Sequence, residues 1–342
     1  MTYYAGLDVS LKETHVCVLA TGGRLVARGC VATEPVAISA WLAAHAPGVS
    51  VVVLETGGMS SWLASGLVEL GVPAVIVDAR LAKKALSGRP NKSDRTDAEG
   101  LAWLALTGWY RRVAVKSERA RLRRSLLVAR GQLCGQRRAL ENVVRALFRG
   151  FGMTFGVAGK GAFEARARRL LEERPELGEA VLALLATRRV ITAEVAGLEK
   201  AIDAAARQSA VCRRLMTVPG VGPMTALAFT AAIDDPGRFA DSYDVGAYLG
   251  LTPRLFQSGE LAYNGRISKW GDALARHMLY EAANSLMVRV KAWSPPKAWA
   301  ARLARKVGGK KARVALARKL AVILHRIWLE GTSFKWTKEA IA

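Results

Sequence analysis

Along residues 2–107, short apolar runs alternate with stretches whose apolar positions recur at helical spacing. Strand-like runs lie at 3–8, 14–19, 24–31, 50–54 and 73–77. Only short turns such as Thr21-Gly22-Gly23 separate the first three, which predicts antiparallel hairpins. Helix-like segments at 35–45 and 59–70 part the later strands, which predicts crossovers and a parallel portion.

From about 117 to 149 the pattern turns continuously helical. Leu126, Leu133, Leu140 and Leu147 recur every seven residues, with Leu122, Ala129, Gln136 and Val143 on a second seam. That stripe suits pairing with another helix. Arg123, Arg130 and Arg137 follow the same interval on a neighbouring face, as either a solvated charged face or a phosphate-contacting ridge. A second helical stretch at 177–206 would return antiparallel to the first. Gly150 to Gly161 is glycine-rich, lacks the order of a phosphate-binding P-loop, and reads as a linker.

Residues 209–330 form a different unit, mainly α. Val218-Pro219-Gly220-Val221-Gly222-Pro223 ahead of a helix resembles a helix-hairpin-helix, whose backbone N–H groups around Gly220 and Gly222 would meet a phosphate. A tight turn between two core helices reads the same way. Leu251 to Ser268 is non-helical and carries Ser258, and helices follow. The expected division is 1–110 for the α/β domain, 111–208 for a helical coiled-coil spacer, 209–330 for the C-terminal domain and 331–342 for a tail.

Charge changes the picture. The chain carries 51 Lys and Arg against 28 Asp and Glu, a net +23, which predicts a polyanionic partner and says nothing about fold. No acid occurs between Glu281 and Glu330, a span that includes Lys310, Lys311 and Arg313. It reads as nucleic-acid contact surface, with Trp293, Trp299 and Trp328 packing helices rather than stacking on bases. The longest uncharged apolar span, Val218 to Ile233, is broken by its Pro and Gly residues, so no membrane segment is expected. The strand-like start predicts no signal peptide. Cys17, Cys30, Cys134 and Cys212 are scattered and read as buried small hydrophobes in a reducing compartment. The four histidines are dispersed, which gives a His-based metal site little support. The expected location is the cytoplasm.

Four acids bear on chemistry. Asp8 ends the first apolar run and Glu55 ends another, while Asp94 and Asp97 lie three apart at the start of a helical stretch. Ser93 would cap that helix, after a polar loop over 87–93. A three-strand meander followed by β-α units is the order of an RNase H-type sheet, in which the ends of strands one and four adjoin. Asp8 would then stand beside Glu55. Such carboxylates can converge on hard divalent cations, the usual hardware for cutting a phosphodiester with two metals. The expected cofactor is Mg2+, two ions, with Mn2+ able to substitute. Asp78, also at a strand end, is left out of the site. Asp234 and Asp235 read as turn formers and Asp272 as a helix cap.

Together these motifs resemble the DEDD transposases of insertion sequences, the family that includes the Piv DNA invertase and the bridge-RNA-guided recombinases. The matching stretches are Gly6-Leu7-Asp8-Val9-Ser10, Leu54-Glu55-Thr56-Gly57-Gly58 and Asn91 to Ala98. In the second half they are Pro219-Gly220-Val221-Gly222, Leu249 to Arg254, Gln257-Ser258-Gly259-Glu260 and Gly265 to Asp272. The motifs come in the family's order over nearly the whole chain; Glu260 and Trp270 depart from its usual residues. The resemblance implies a RuvC-like (RNase H-fold) domain with the tetrad Asp8, Glu55, Asp94 and Asp97. It implies a C-terminal transposase domain whose nucleophile is Ser258, forming a covalent phosphoserine–DNA intermediate. In part of the family an element-encoded non-coding RNA pairs with donor and target DNA. Arg254, Arg266 and Lys269, near Ser258 in sequence, would neutralise phosphate charge. A homo-oligomer is expected, a dimer through the 117–149 helix or a tetramer in synapsis. Two rivals stay open: a Holliday-junction-resolvase-like endonuclease using water, and a non-catalytic RNA-binding scaffold.

Overall fold

The short apolar runs at the start of the chain form the strands that the sequence predicts. The computed structural model describes residues 1–86, 94–159, 161–259 and 261–336. The 87–93 loop, with Ser93 as a cap, lies outside the described residues, as do Glu260 and the end of the tail. The chain divides into two compact units, Met1–Lys116 and Ser117–Ala342.

In the first unit, β1 (Tyr3–Val9), β2 (Glu13–Ala20) and β3 (Leu25–Ala32) form an antiparallel meander. Helix α1 (Pro35–His45), with proline in its first turn, leads to β4 (Val51–Glu55). Helix α2 (Ser60–Glu69) leads to β5 (Ala74–Val77), and both later strands run parallel to β1. The order β3-β2-β1-β4-β5 makes this an RNase H-like α/β unit. Every expected strand lies within one residue of its observed bounds. Two more helices follow, α3 (Ala79–Leu86) and α4 (Asp94–Thr107).

Both sheet faces are covered, which explains the almost wholly apolar β4. Ala5, Leu7, Val52 and Leu54 pack on Ile38 and Leu42 of α1 and on Leu63 and Leu67 of α2. On the other face, Val53 and Val77 pack on Leu101, Leu104 and Ala105 of α4. Gly6 lets α4 come this close. A Cβ there would stand 2.2 Å from Ala102 N and Ala98 O, backbone atoms that cannot swing away.

The second unit starts with α5 (Glu118–Gly150), capped by the Ser117 hydroxyl, which accepts from Ala120 N at 3.2 Å. Helix α6 (Phe163–Glu173) follows the glycine-rich linker, and α7 (Gly178–Gln208) returns antiparallel to α5. Arg130 pairs with Glu199 at 2.5 Å, and Arg188 with Glu141 at 2.8 Å. Only Ala120, Leu127, Val144 and Phe148 of α5 are fully buried. Of the expected stripe, Leu126, Leu133, Leu140 and Leu147 are half-buried, and Leu122, Ala129, Gln136 and Val143 are exposed.

Next come α8 (Ala210–Leu215), α9 (Pro223–Ile233) and α10 (Asp244–Tyr248). The non-helical stretch resolves into a hairpin of β6 (Pro253–Ser258) and β7 (Leu261–Ile267). Helices α11 (Ala273–Val288), α12 (Pro295–Val307) and α13 (Gly309–Glu330) close the unit. Their apolar faces enclose Phe229, Leu279, Leu286, Leu316, Leu320 and Leu324. Trp328 packs on Phe229 and Trp299 lies under Lys319, whereas Trp293 is exposed. Among the described residues no helix is long and apolar enough to cross a membrane.

Two cysteines depart from the expected burial, Cys134 being half-buried and Cys30 exposed. Cys17 and Cys212 are buried, but Cys30 is exposed because β3 is the edge strand of its sheet.

Candidate functional site

Register places the first two carboxylates. Leu7 pairs with Leu54 in the parallel β1–β4 ladder, so Asp8 and Glu55 each come one residue later, at adjoining strand ends. Gly6 and Asp8 share a sheet face, since side chains alternate along a strand. That face is the one α4 covers.

The helix brings the other two. Residues 98–102 of α4 lie on Gly6, while Asp94 Oδ2 stands 3.8 Å from Nε2 of His15. His15 pairs directly with Asp8 across β1 and β2. Helix α4 therefore runs opposite to β1, and its first turn lies toward the strand end that bears Asp8. Asp94 and Asp97, three residues apart, share one side of that turn. Asp94 is exposed; Asp8, Glu55 and Asp97 are half-buried. Among the described residues no three His, Cys, Asp or Glu side chains stand close enough together to hold a metal ion. The fold thus brings the four acids to one end of one sheet face without closing them into a cage.

The dispersal of the histidines along the sequence hides His15. Its signal was the hairpin register, which sets it opposite Asp8. Asp78, left out of the site, acts structurally. It accepts from Arg80 N at 2.9 Å and pairs with the Arg80 guanidinium at 3.2 Å. Partial burial pushes its carboxyl upward, but these contacts outweigh that and hold it below the usual carboxylate range.

In the second unit, Ser258 ends β6 and is exposed at the tip of the hairpin. Arg254, Arg266 and Lys269 are exposed on or beside the same hairpin, with Arg254 donating to Ser268 O at 3.2 Å. On α13, Lys310 and Lys311 are exposed and Arg313 is half-buried. Arg123, Arg130 and Arg137 are half-buried and engaged within the unit. Arg123 donates to Thr230 Oγ1 at 3.5 Å, Arg130 pairs with Glu199, and Arg137 lies 4.0 Å from Glu141. Gly220 has φ +85°, and a Cβ there would meet Ala282 O of α11 at 2.6 Å. Helix packing by itself thus requires glycine at 220. Asp272 caps α11, accepting from Leu274 N at 2.9 Å and Ala275 N at 3.0 Å, and pairs with Arg124. Asp234 accepts from Ser117 N and Oγ, each at 2.6 Å, and Asp235 accepts from Gly237 N at 2.8 Å.

Comparison with known proteins gives a consistent result. A family model described as "Transposase IS116/IS110/IS902 family" matches residues 212–298, and a second, DEDD_Tnp_IS110, described as "Transposase", matches residues 5–153. The transposase for insertion sequence element IS1111A of Coxiella burnetii is 32% identical over 81% of this chain and 77% of its own length. The transposase for insertion sequence element IS1328 of Yersinia enterocolitica is 24% identical over 96% of this chain and 97% of its own. A solved chain titled "Thermus thermophilus RuvC structure" aligns at TM-score 0.26 and 19% identity, over 32% of this chain and 99% of that one.

Proposed function

The chain belongs to the IS116/IS110/IS902 family of insertion-sequence transposases, enzymes that act on DNA, and from this we propose that it cuts and rejoins DNA through a DEDD carboxylate site and a serine nucleophile. The observation that carries the reading is the placing of Asp8 and Glu55 at adjoining strand ends, on the face where α4 sets Asp94 and Asp97.

This donor set consists of carboxylate oxygens, which fits Mg2+, or Mn2+ in its place. When bound, two such ions would supply positive charge to the scissile phosphate and to the departing oxygen. Ser258 Oγ bonds to phosphorus, and its proton passes, by way of water, to the oxygen that departs. A deoxyribose oxygen leaves with the electron pair of the broken P–O bond. Attack by a DNA hydroxyl on the phosphoserine reverses the step and frees the serine. Exposure at the hairpin tip leaves Ser258 accessible to a backbone as bulky as DNA. Arg254, Arg266 and Lys269 supply charge near the same phosphate.

An element-encoded RNA partner is part of the proposal. Its support is the acid-free run between Glu281 and Glu330, where Arg302, Arg305, Lys306, Lys310 and Lys311 are exposed. In this reading residues 111–208 serve as a spacer, and the exposed seam of α5 pairs two copies of the chain.

The test is to trap a protein–DNA adduct on element-end DNA with Mg2+ and map it by mass spectrometry. The expected result is phosphoserine at 258, abolished by Ser258→Ala and by Asp8→Asn. Strand cleavage that survives Ser258→Ala would overturn the covalent route in favour of water as nucleophile.

A further inference from the structure

The hairpin that carries Ser258 has a face of its own. Phe256 pairs with Tyr263, and Ser258 with Leu261, across β6 and β7. Side chains two apart on a strand share a face, as do cross-strand partners, so Ser258, Phe256 and Tyr263 lie on one side of the ribbon. The two rings are stacked, with centroids 5.2 Å apart and planes 16° from parallel. They are nonetheless 45% and 62% exposed. The pair also constrains its neighbour: a Cβ on Gly265 would stand 2.6 Å from the Phe256 ring.

A cross-strand aromatic pair does stabilise a hairpin. That alone does not account for a two-stranded ribbon whose β6 residues are all exposed, since such ribbons are marginal in water unless something covers them. The charge around the face indicates the cover. Between 253 and 271 the sequence holds Arg254, Arg266 and Lys269 against a single acid, Glu260. An exposed, stacked aromatic pair on a hairpin whose charged residues are mostly cations suits a nucleobase attached to its phosphate, because every base has a π-face and the backbone is anionic.

We propose that the stacked Phe256–Tyr263 pair is a platform for an unpaired DNA base beside the phosphate presented to Ser258. It rests on the reading of Ser258 given above and adds a positioning role. The platform holds a base out of the duplex, so that the adjoining phosphodiester is fixed at the hairpin tip. Because π-stacking recognises any base, the platform sets position and not sequence.

The experiment uses full-length protein carrying Ser258→Ala, so that no strand transfer intervenes. The probe is an oligodeoxynucleotide with 5-iododeoxyuridine in an unpaired stretch, photo-cross-linked and mapped by peptide mass. The expected adduct lies on Phe256 or Tyr263. Phe256→Leu keeps an apolar cross-strand contact but removes the flat ring. It should weaken binding of the unpaired probe about tenfold, leave a blunt duplex of equal length unaffected, and leave the slope of log K against log salt unchanged. Arg266→Ala should instead lower that slope by about one. Hydrogen exchange of the 253–267 amides reports whether the hairpin survives. If Phe256→Leu melts it, Phe256→Trp decides, with retained affinity supporting the platform and lost affinity overturning it. Adducts confined to other residues would overturn it, as would preferential cross-linking of an oligoribonucleotide. A change of oligomeric state with Phe256→Leu in the absence of DNA would make a second copy of the chain the occupant. Persistence of rejoining in Ser258→Ala sinks the nucleophile and leaves the cross-link result standing on its own.

Discussion

The two candidate chemical elements of this protein rest on opposite kinds of support. The acids sit on a five-stranded sheet covered on both faces, where α4 touches the backbone of Gly6. Ser258 sits on a two-stranded ribbon with no buried residue in β6. A scaffold buried on both faces fixes direction before substrate arrives. A bare ribbon takes its final geometry from what binds it. The contrast suits a division of labour in which cation ligands need fixed positions and a nucleophile must follow a flexible polymer.

The sharpest way to break that contrast is to remove chemistry without touching packing. Asp94→Asn, at an exposed carboxylate, should abolish strand cleavage while the thermal unfolding midpoint stays at the wild-type value. Retained cleavage would show that the first turn of α4 is not part of the site. Next in size is Gly6→Val. Its side chain meets backbone on α4, and the first unit should lose about 3 kcal/mol in denaturant unfolding, with cleavage lost as well. Asp272→Ala removes the α11 cap and the Arg124 partner, and should cost about 1 kcal/mol in the second unit. The smallest global effect should come from Gly265→Val. Displacing the Phe256 ring should change unfolding free energy by under about 1 kcal/mol, while amide exchange in 253–267 accelerates and adduct formation falls. If Gly265→Val destabilised the whole second unit, the hairpin would be part of the core and the contrast would fail.

Sequence legibility follows the same division. Strands of the first unit could be read because one turn-bounded apolar run after another obeys a clear period. The role of Gly6 could not, since it depends on contact with residues 98–102, far along the chain. The β6–β7 hairpin was legible only as a break in helix. Leu255 and Phe256 are adjacent apolar residues pointing to opposite faces, so the period-two signal of a half-buried strand is missing. Helix α6, rich in arginine and beginning just after a glycine-rich linker, gave no separate signal. The seven-residue recurrence of Arg123, Arg130 and Arg137 is visible, as is Glu141 four residues after Arg137, but the partners of Arg123 and Arg130 are not. Glu199 and Thr230 become neighbours only once α7 and α9 fold back.

The α5–α7 pair imposes a rule on how this protein can change length. Helix α5, at 33 residues, measures about 50 Å. Its ion pairs with α7 involve Arg130 and Glu141 on one side and Glu199 and Arg188 on the other, eleven residues apart on each helix. Eleven residues complete just over three helical turns, which keeps both pairs on the same flank. An insertion or deletion between them in one helix alone would rotate half of the strut out of phase and strand a carboxylate against apolar side chains. Viable length variants should therefore carry compensating changes in both helices, so that the strut grows or shrinks like a ladder whose two rails must be cut together.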